Sequence, residues 1–128
     1  MKTYVDGFVI PVPKANIEKY RGIAEKACAI WREHGALDYF ECVGDDMVPE
    51  VGDDTNAQKM VTFPQLANAG PDDTVVFAWI TYKSREHRDE VNAKVMADPR
   101  MQEMMDPNDT TFDCSKMAYG GFKVIVNA

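Results

Sequence analysis

The run Thr74-Val75-Val76-Phe77-Ala78-Trp79-Ile80-Thr81-Tyr82 limits the fold of this chain more than any other feature. It is made of strand formers, and in an extended chain successive side chains point to opposite faces. Phe77 and Trp79 then share one face, while Val76, Ala78 and Ile80 share the other, so neither face suits water. The run Tyr4 to Val12 has the same character, with Phe8 and Ile10 on one side and Val5 and Val9 on the other. Pro11 and Pro13 are expected to close it, because proline cannot keep feeding a ladder. A sheet built on these two strands needs cover on both faces.

The remaining periodicities supply only part of that cover. From about Ala15 to His34, the residues Ile17, Tyr20, Ala24, Ala27 and Trp31 recur at spacings of three and four and mark one helical face. Gly35 is placed to end this helix in the left-handed conformation. A strand follows from Ala36 or Leu37 to Val43. After Tyr82, Ser84 caps a helix running to about Met96 with Val91 and Val95 inward. Asp98-Pro99 restarts a short helix through Met105, and Phe112 to Met117 leads to a last strand, Gly120 to Val126. Strand, helix, strand, strand, helix, strand is the βαββαβ order of the ferredoxin-like α+β fold, with an antiparallel sheet and both helices on one face. The side carrying Gly7 and Ala78 is expected to take the helices. The bulkier side is expected to meet a second copy in a two-fold homodimer.

Residues 1–128 read as one domain, of a size that buries a core without staples. It carries an acidic loop insertion at about 44–73. Within that loop, Lys59 to Phe63 is expected to form a short strand and Pro64-Gln65-Leu66-Ala67 to start a helical turn. Twenty-one acidic against 14 basic residues give a net charge of −7. No basic track is present to displace counterions from phosphates, so nucleic acid is not an expected partner. No apolar stretch approaches the roughly 20 residues of a membrane helix, and Met1 to Gly7 lacks the apolar core of a signal peptide. Cys28, Cys42 and Cys114 are odd in number and widely spaced, as reduced thiols are. A cytoplasmic protein is expected.

The densest group of reactive side chains is Glu41-Cys42-Val43-Gly44-Asp45-Asp46, where a strand opens into the loop. Glu41 and Cys42 fall on opposite faces of that strand and do not form a pair. Glu41, if buried, is a candidate general base; the plainer alternative is a carboxylate making a structural salt bridge. Cys42 reads as a small hydrophobe more readily than as a nucleophile. Asp45, Asp46, Asp53 and Asp54 lack the alternating ligand spacing of a calcium loop, so no metal and no cofactor is expected. His34 suits the C-terminal end of its helix. His87, in the first turn of its helix, is a second candidate base. Arg85 and Arg88 are candidates to clamp an anion, or to pair with surrounding acids. Trp79, Tyr39, Tyr82 and Trp31 offer aromatic walls for an apolar pocket or serve as core. Met96, Met101, Met104, Met105 and Met117 suggest adaptable packing around the short helix.

Several blocks carry a resemblance: Tyr4-Val5-Asp6-Gly7-Phe8-Val9, Trp31-Arg32-Glu33-His34-Gly35-Ala36-Leu37, Glu41 to Asp46, Thr74-Val75-Val76-Phe77, and the long stretch from His87 to Met101. Together these resemble the YbaA-like family of small bacterial proteins, a domain of unknown function. The segment Val48 to Asn56 departs from the family pattern as a longer loop. The resemblance implies a dimeric α+β barrel, in which two ferredoxin-like subunits close their sheets against each other. That superfamily includes small monooxygenases, haem-degrading enzymes, muconolactone-isomerase-like proteins and stress-response proteins. Three functions are expected in turn. The first is a small homodimer binding an apolar or anionic molecule in the sheet–helix cleft, with Arg85, Arg88, Trp79, Tyr39, Cys42, Asp45 and Asp46 as candidate contacts. The second is a cofactor-independent monooxygenase or isomerase using Glu41, His87 or a loop acid as base. The third is a stress-associated interaction protein without a small-molecule site.

Overall fold

The computed structural model describes residues 1–47, 60–106 and 108–127. Its elements are β1 (Tyr4–Pro13), α1 (Ile17–Glu33, entered through a 3-10 turn at Lys14–Asn16), β2 (Asp38–Val43), α2 (Phe63–Leu66), β3 (Asp73–Tyr82), α3 (Arg85–Ala97), α4 (Pro99–Met104) and β4 (Ala118–Lys123, after a 3-10 turn at Cys114–Lys116). The sheet has the order β2-β3-β1-β4 and is antiparallel throughout. This is the ferredoxin-like α+β arrangement that the element order implied.

The strand β1 runs on through both prolines instead of stopping at them. Lys14 N–H bonds the Asp72 carbonyl at 2.9 Å, in line with the β1–β3 ladder. Alternation turns the nitrogens of Pro11 and Pro13 to the other edge, where pairing with β4 ends at Val9. Their missing donors therefore remove no ladder bond. β4 likewise stops at Lys123, opposite Tyr4, once its partner strand ends. Ile125 and Val126 lie beyond the sheet, exposed.

Register decides which face each side chain joins. Trp79 stands opposite Gly7, and Ala78 opposite Phe8. Gly7 and Ala78 are thus on different faces, which corrects the expectation that they share the helix side. Tyr4, Asp6, Phe8, Ile10 and Val12 of β1 join Val76, Ala78, Ile80 and Tyr82 of β3 and Tyr39, Glu41 and Val43 of β2 under the helices. The opposite face presents Phe40 stacked on Trp79, with ring centroids 5.0 Å apart, and Trp79 beside Phe77. Phe122 lies over Gly7 and Gly120, where a Cβ would meet its ring at 3.5 and 3.8 Å. Phe40, Phe77 and Phe122 are 49%, 41% and 62% exposed, so this face is apolar and open in the single chain.

Short segments obey local chemistry. Ser84 accepts the His87 N–H at the start of α3, and Asp98 accepts the Arg100 N–H at the start of α4. Thr62 and Gln65 form a reciprocal capping box that begins α2. Among the described residues, Met60 to Thr62 form no strand; the cap draws Thr62 into the helix, and no neighbouring strand pairs with these residues. Lys59 and the segment Val48 to Asn56 lie outside the described residues. Gly35 has φ +116°, a backbone conformation that residues with a side chain rarely adopt, and its turn sits against His87 and Val91.

The interior is packed in two clusters. One joins Tyr4, Ile30, Ala36, Ile80, Tyr82, Val91 and Val95. The other joins Ile10, Val12 and Val76, with Ile17, Tyr20 and Phe112 packed against it. Between them α1 presents Ala24 and Ala27 toward Ala78, all three small and buried. Small residues facing each other leave space that neighbouring side chains do not fill.

Candidate functional site

That space is a cavity of about 440 Å³. Phe8, Ile10, Val76, Ala78 and Ile80 form its floor on the sheet, α1 contributes Tyr20, Ala24, Ala27 and Trp31, and α4 contributes Met101 and Met104. Phe112, Cys114 and Met117 close the remaining side, and the exposed Asp106 and Asp109 stand at its mouth. The size and apolar lining suit a small organic molecule. A smaller cavity of about 240 Å³ adjoins it, lined by Arg21, Glu25, Cys28, Cys42 and Val43 among others. Tyr20, Ala24, Tyr39, Glu41 and Val76 line both. They form the wall between the two spaces.

Glu41 is the polar centre of that wall. Strand alternation puts it under the helices, beside Tyr39 two residues earlier, while α1 delivers Tyr20 from the other side. The Tyr20 hydroxyl donates to Oε1 of Glu41, and the Tyr39 hydroxyl donates to Oε2 at 2.7 Å. Burial, and then the Glu41 carboxylate, push both phenols well above the usual tyrosine range. Both therefore stay protonated and act as donors. Each carboxylate oxygen has one partner and keeps further accepting capacity toward the cavities.

A second polar group lies deeper, at the far end of the helix–sheet interface. Asp6 is 1% exposed, and Arg88 Nη1 reaches its Oδ1 at 2.8 Å. Burial raises the Asp6 carboxyl, against the opposing pull of Arg88 and of the neighbouring polar groups of Tyr82 and Asn92, and the Tyr82 hydroxyl donates to Oδ1 of Asn92 at 3.4 Å. Asn92 in turn accepts from Trp31 Nε1 at 3.3 Å. The guanidinium also binds Asp89 at 2.8 Å and lies 5.0 Å from the centre of the Tyr4 ring. Among the described residues, no buried side-chain nitrogen or oxygen lacks a hydrogen-bond partner.

The structure thus places the candidate residues in different locations. Glu41 and Tyr39 meet at the cavity. Arg88 is held by Asp6 and Asp89, and Arg85 is exposed at the start of α3; neither lines the two cavities described. His87 Nδ1 accepts the Lys83 N–H at 3.0 Å, and its ring packs edge-on against Tyr82. His87 does not line the cavities either. Its substitution by alanine is expected to lower stability by about 1 kcal/mol through the lost hydrogen bond. Ligand-induced changes in melting temperature should be unaffected. Trp79 faces away from the helices, on the open side of the sheet, and Cys42 is exposed beside Phe77 on that side while reaching the rim of the smaller cavity. Asp45 and Asp46 are exposed in the bend after β2; Asp53 and Asp54 lie outside the described residues. His34 pairs with Asp98 at 2.8 Å. Among the described residues, no three His, Cys, Asp or Glu side chains come together as a metal site would require, and no helix is long and apolar enough to cross a membrane.

Two important residues carried weaker signals in the sequence. Tyr20 was legible as an inward-facing helix residue, but not as a partner of Glu41, 21 positions away. Asp6 shares the parity of Tyr4, Phe8 and Ile10, and a charge at an inward position of an apolar strand is the mark of a buried partner.

Comparison with known proteins agrees with this architecture. The chain matches the family model described as protein of unknown function (DUF1428) over residues 3–114. It is 41% identical to the uncharacterized protein YbaA of Escherichia coli (strain K12) over 124 residues, covering 97% of each chain. Its fold is similar to that of a dimeric ferredoxin-like protein from an uncultured marine organism, with TM-score 0.59, 10% identity and complete coverage of both chains. An uncharacterized NIPSNAP domain protein from Burkholderia xenovorans is also similar, with TM-score 0.57 and 12% identity over 98% of this chain and 94% of that one. At such identities the likeness to solved structures concerns the fold alone. The match to the family model and the similarity to YbaA together show that the chain belongs to the DUF1428 family of YbaA-like proteins.

Proposed function

We propose that the protein is a homodimer that binds a small, largely apolar molecule in the cavity between sheet and helices. The observation that carries this reading is the cavity of about 440 Å³, walled by aromatic and aliphatic side chains with Glu41 at one polar point. An ordinary domain core fills such a space. Here Ala24, Ala27 and Ala78 hold it open, and the methionines of α4 supply a wall that adapts to an occupant. Of the two ligand classes considered from sequence, the apolar one is favoured, because Arg85 and Arg88 are not at the cavity. Pairing with a second copy is supported by the open aromatic face of the sheet and by the fold's likeness to a protein described as dimeric.

Filling the cavity from within tests the ligand reading. Ala27→Phe, which places a ring in the space, is expected to leave the melting temperature unchanged or raise it by a few degrees. It should also abolish the stabilisation that apolar aromatic compounds confer on the unsubstituted protein in a thermal-shift screen. A screen in which both proteins respond alike sinks the assignment of the cavity as the site.

A further inference from the structure

We infer that the molecule taken by this cavity carries a protonated amine on its apolar body, with Glu41 as the counter-charge. The inference rests on the reading of the cavity as a ligand site and specifies the ligand's chemistry. Among the described residues, three carboxylates line the cavity, those of Glu41, Asp106 and Asp109, and no basic side chain does. Asp109 already serves Thr111 and Lys19, and Asp106 accepts the Asn108 N–H. Glu41 faces the interior with both oxygens accepting and neither donating.

The two tyrosines determine what Glu41 can recognise. Each phenol has a single O–H, and both are spent on the carboxylate. They have no donor left for a ligand anion unless they abandon Glu41. A ligand carboxylate in this cavity would therefore meet a like charge with no basic side chain among the described lining residues, since Arg21 lies in the adjoining space beside Glu18 and Lys19 is engaged by Asp109. A ligand ammonium would meet an acceptor already held in place, and charge-assisted hydrogen bonds of this kind are the stronger class. The aromatic rings of Tyr20, Tyr39 and Trp31 line the same space, and an aromatic ring attracts a cation through its π-system. The overall charge of −7 acts in the same direction at long range.

Three probes with one body and different heads separate the terms: 4-phenylbutylamine, 4-phenylbutan-1-ol and 4-phenylbutyrate, titrated calorimetrically into the full chain. The amine is expected to bind about tenfold or more tighter than the alcohol, and the acid more weakly than the alcohol. In Glu41→Gln the amine should bind no more tightly than the alcohol binds the same variant. Equal binding of amine and acid overturns the inference, as does an amine preference that survives in folded Glu41→Gln. In either case binding of the alcohol keeps the cavity as the site. Failure of all three probes to bind removes both the inference and the reading beneath it. Should Glu41→Gln fail to fold, the three affinities on the unsubstituted protein still decide the matter.

Discussion

Replacing Arg88 by alanine is expected to destabilise the protein by about 3–5 kcal/mol at neutral pH, the usual cost of stripping one partner from a buried ion pair. Asp6 is 1% exposed, and Arg88 is the cation that reaches it, at 2.8 Å. Without Arg88 the carboxylate keeps only the neighbouring polar groups of Tyr82 and Asn92. The cost should depend on pH in a defined direction. Burial already raises the Asp6 carboxyl above its usual value, and loss of Arg88 removes a lowering influence. An acid whose pKa is higher folded than unfolded weighs against folding above the folded value, and that penalty fades as pH falls toward the usual carboxylate range. Urea unfolding at pH 7 and pH 4.5 should therefore show Arg88→Ala approaching the unsubstituted protein at the lower pH. Asp98 works in the opposite sense: Arg100 first, then His34, hold its carboxyl low, so the stability it contributes is lost on acidification. Both proteins share that loss, so it cancels in their difference. The paired change Asp6→Leu with Arg88→Met should recover most of the stability, because apolar groups of similar volume leave no charge to solvate. A cost below about 1 kcal/mol for Arg88→Ala, or one that does not vary with pH, would show that the pair does not hold this end of the core together.

The second large effect is expected on the open face of the sheet. Trp79→Asp should weaken self-association by at least about thirtyfold, equivalent to about 2 kcal/mol at an aromatic anchor. Trp79 stacks on Phe40 and touches Phe77, and it stands opposite Gly7 at the centre of the sheet. A carboxylate there would have to be buried against a second apolar sheet without a partner. Sedimentation equilibrium at micromolar concentration reads the outcome directly. A dimer that turns monomeric on substitution, with its circular dichroism intact, supports pairing through this face. A dimer unaffected by the charge must use another surface, and an unsubstituted protein that is monomeric would remove the homodimer from the proposed function.

Most of the architecture was legible in the sequence because it follows from local rules. The spacing of Ile17, Tyr20, Ala24, Ala27 and Trp31 announced α1, and Ser84 and Asp98 announced the starts of α3 and α4. Two-sided apolar strands announced that helices would cover one face and leave another to be filled. The misreadings have equally physical causes. Proline stops a strand only where its nitrogen faces a partner, and Pro11 and Pro13 face the free edge. Gly7 was placed with Ala78 because alternation is known within a strand, while relative phase between strands requires the register. Met60 to Thr62 had the composition of a strand but no neighbour with which to pair.

The candidate site divides along the same line. Sequence alone determined that Glu41 and Cys42 would face opposite ways and that Tyr20 would face inward, since each follows from the period of one element. Only the tertiary structure decided that Tyr20 and Tyr39 would close on Glu41 together, that Arg88 would be committed to Asp6, 82 positions away, and that three alanines would meet across an unfilled space. Those outcomes depend on how a helix is seated on a sheet, a matter of packing between distant segments that no local period encodes.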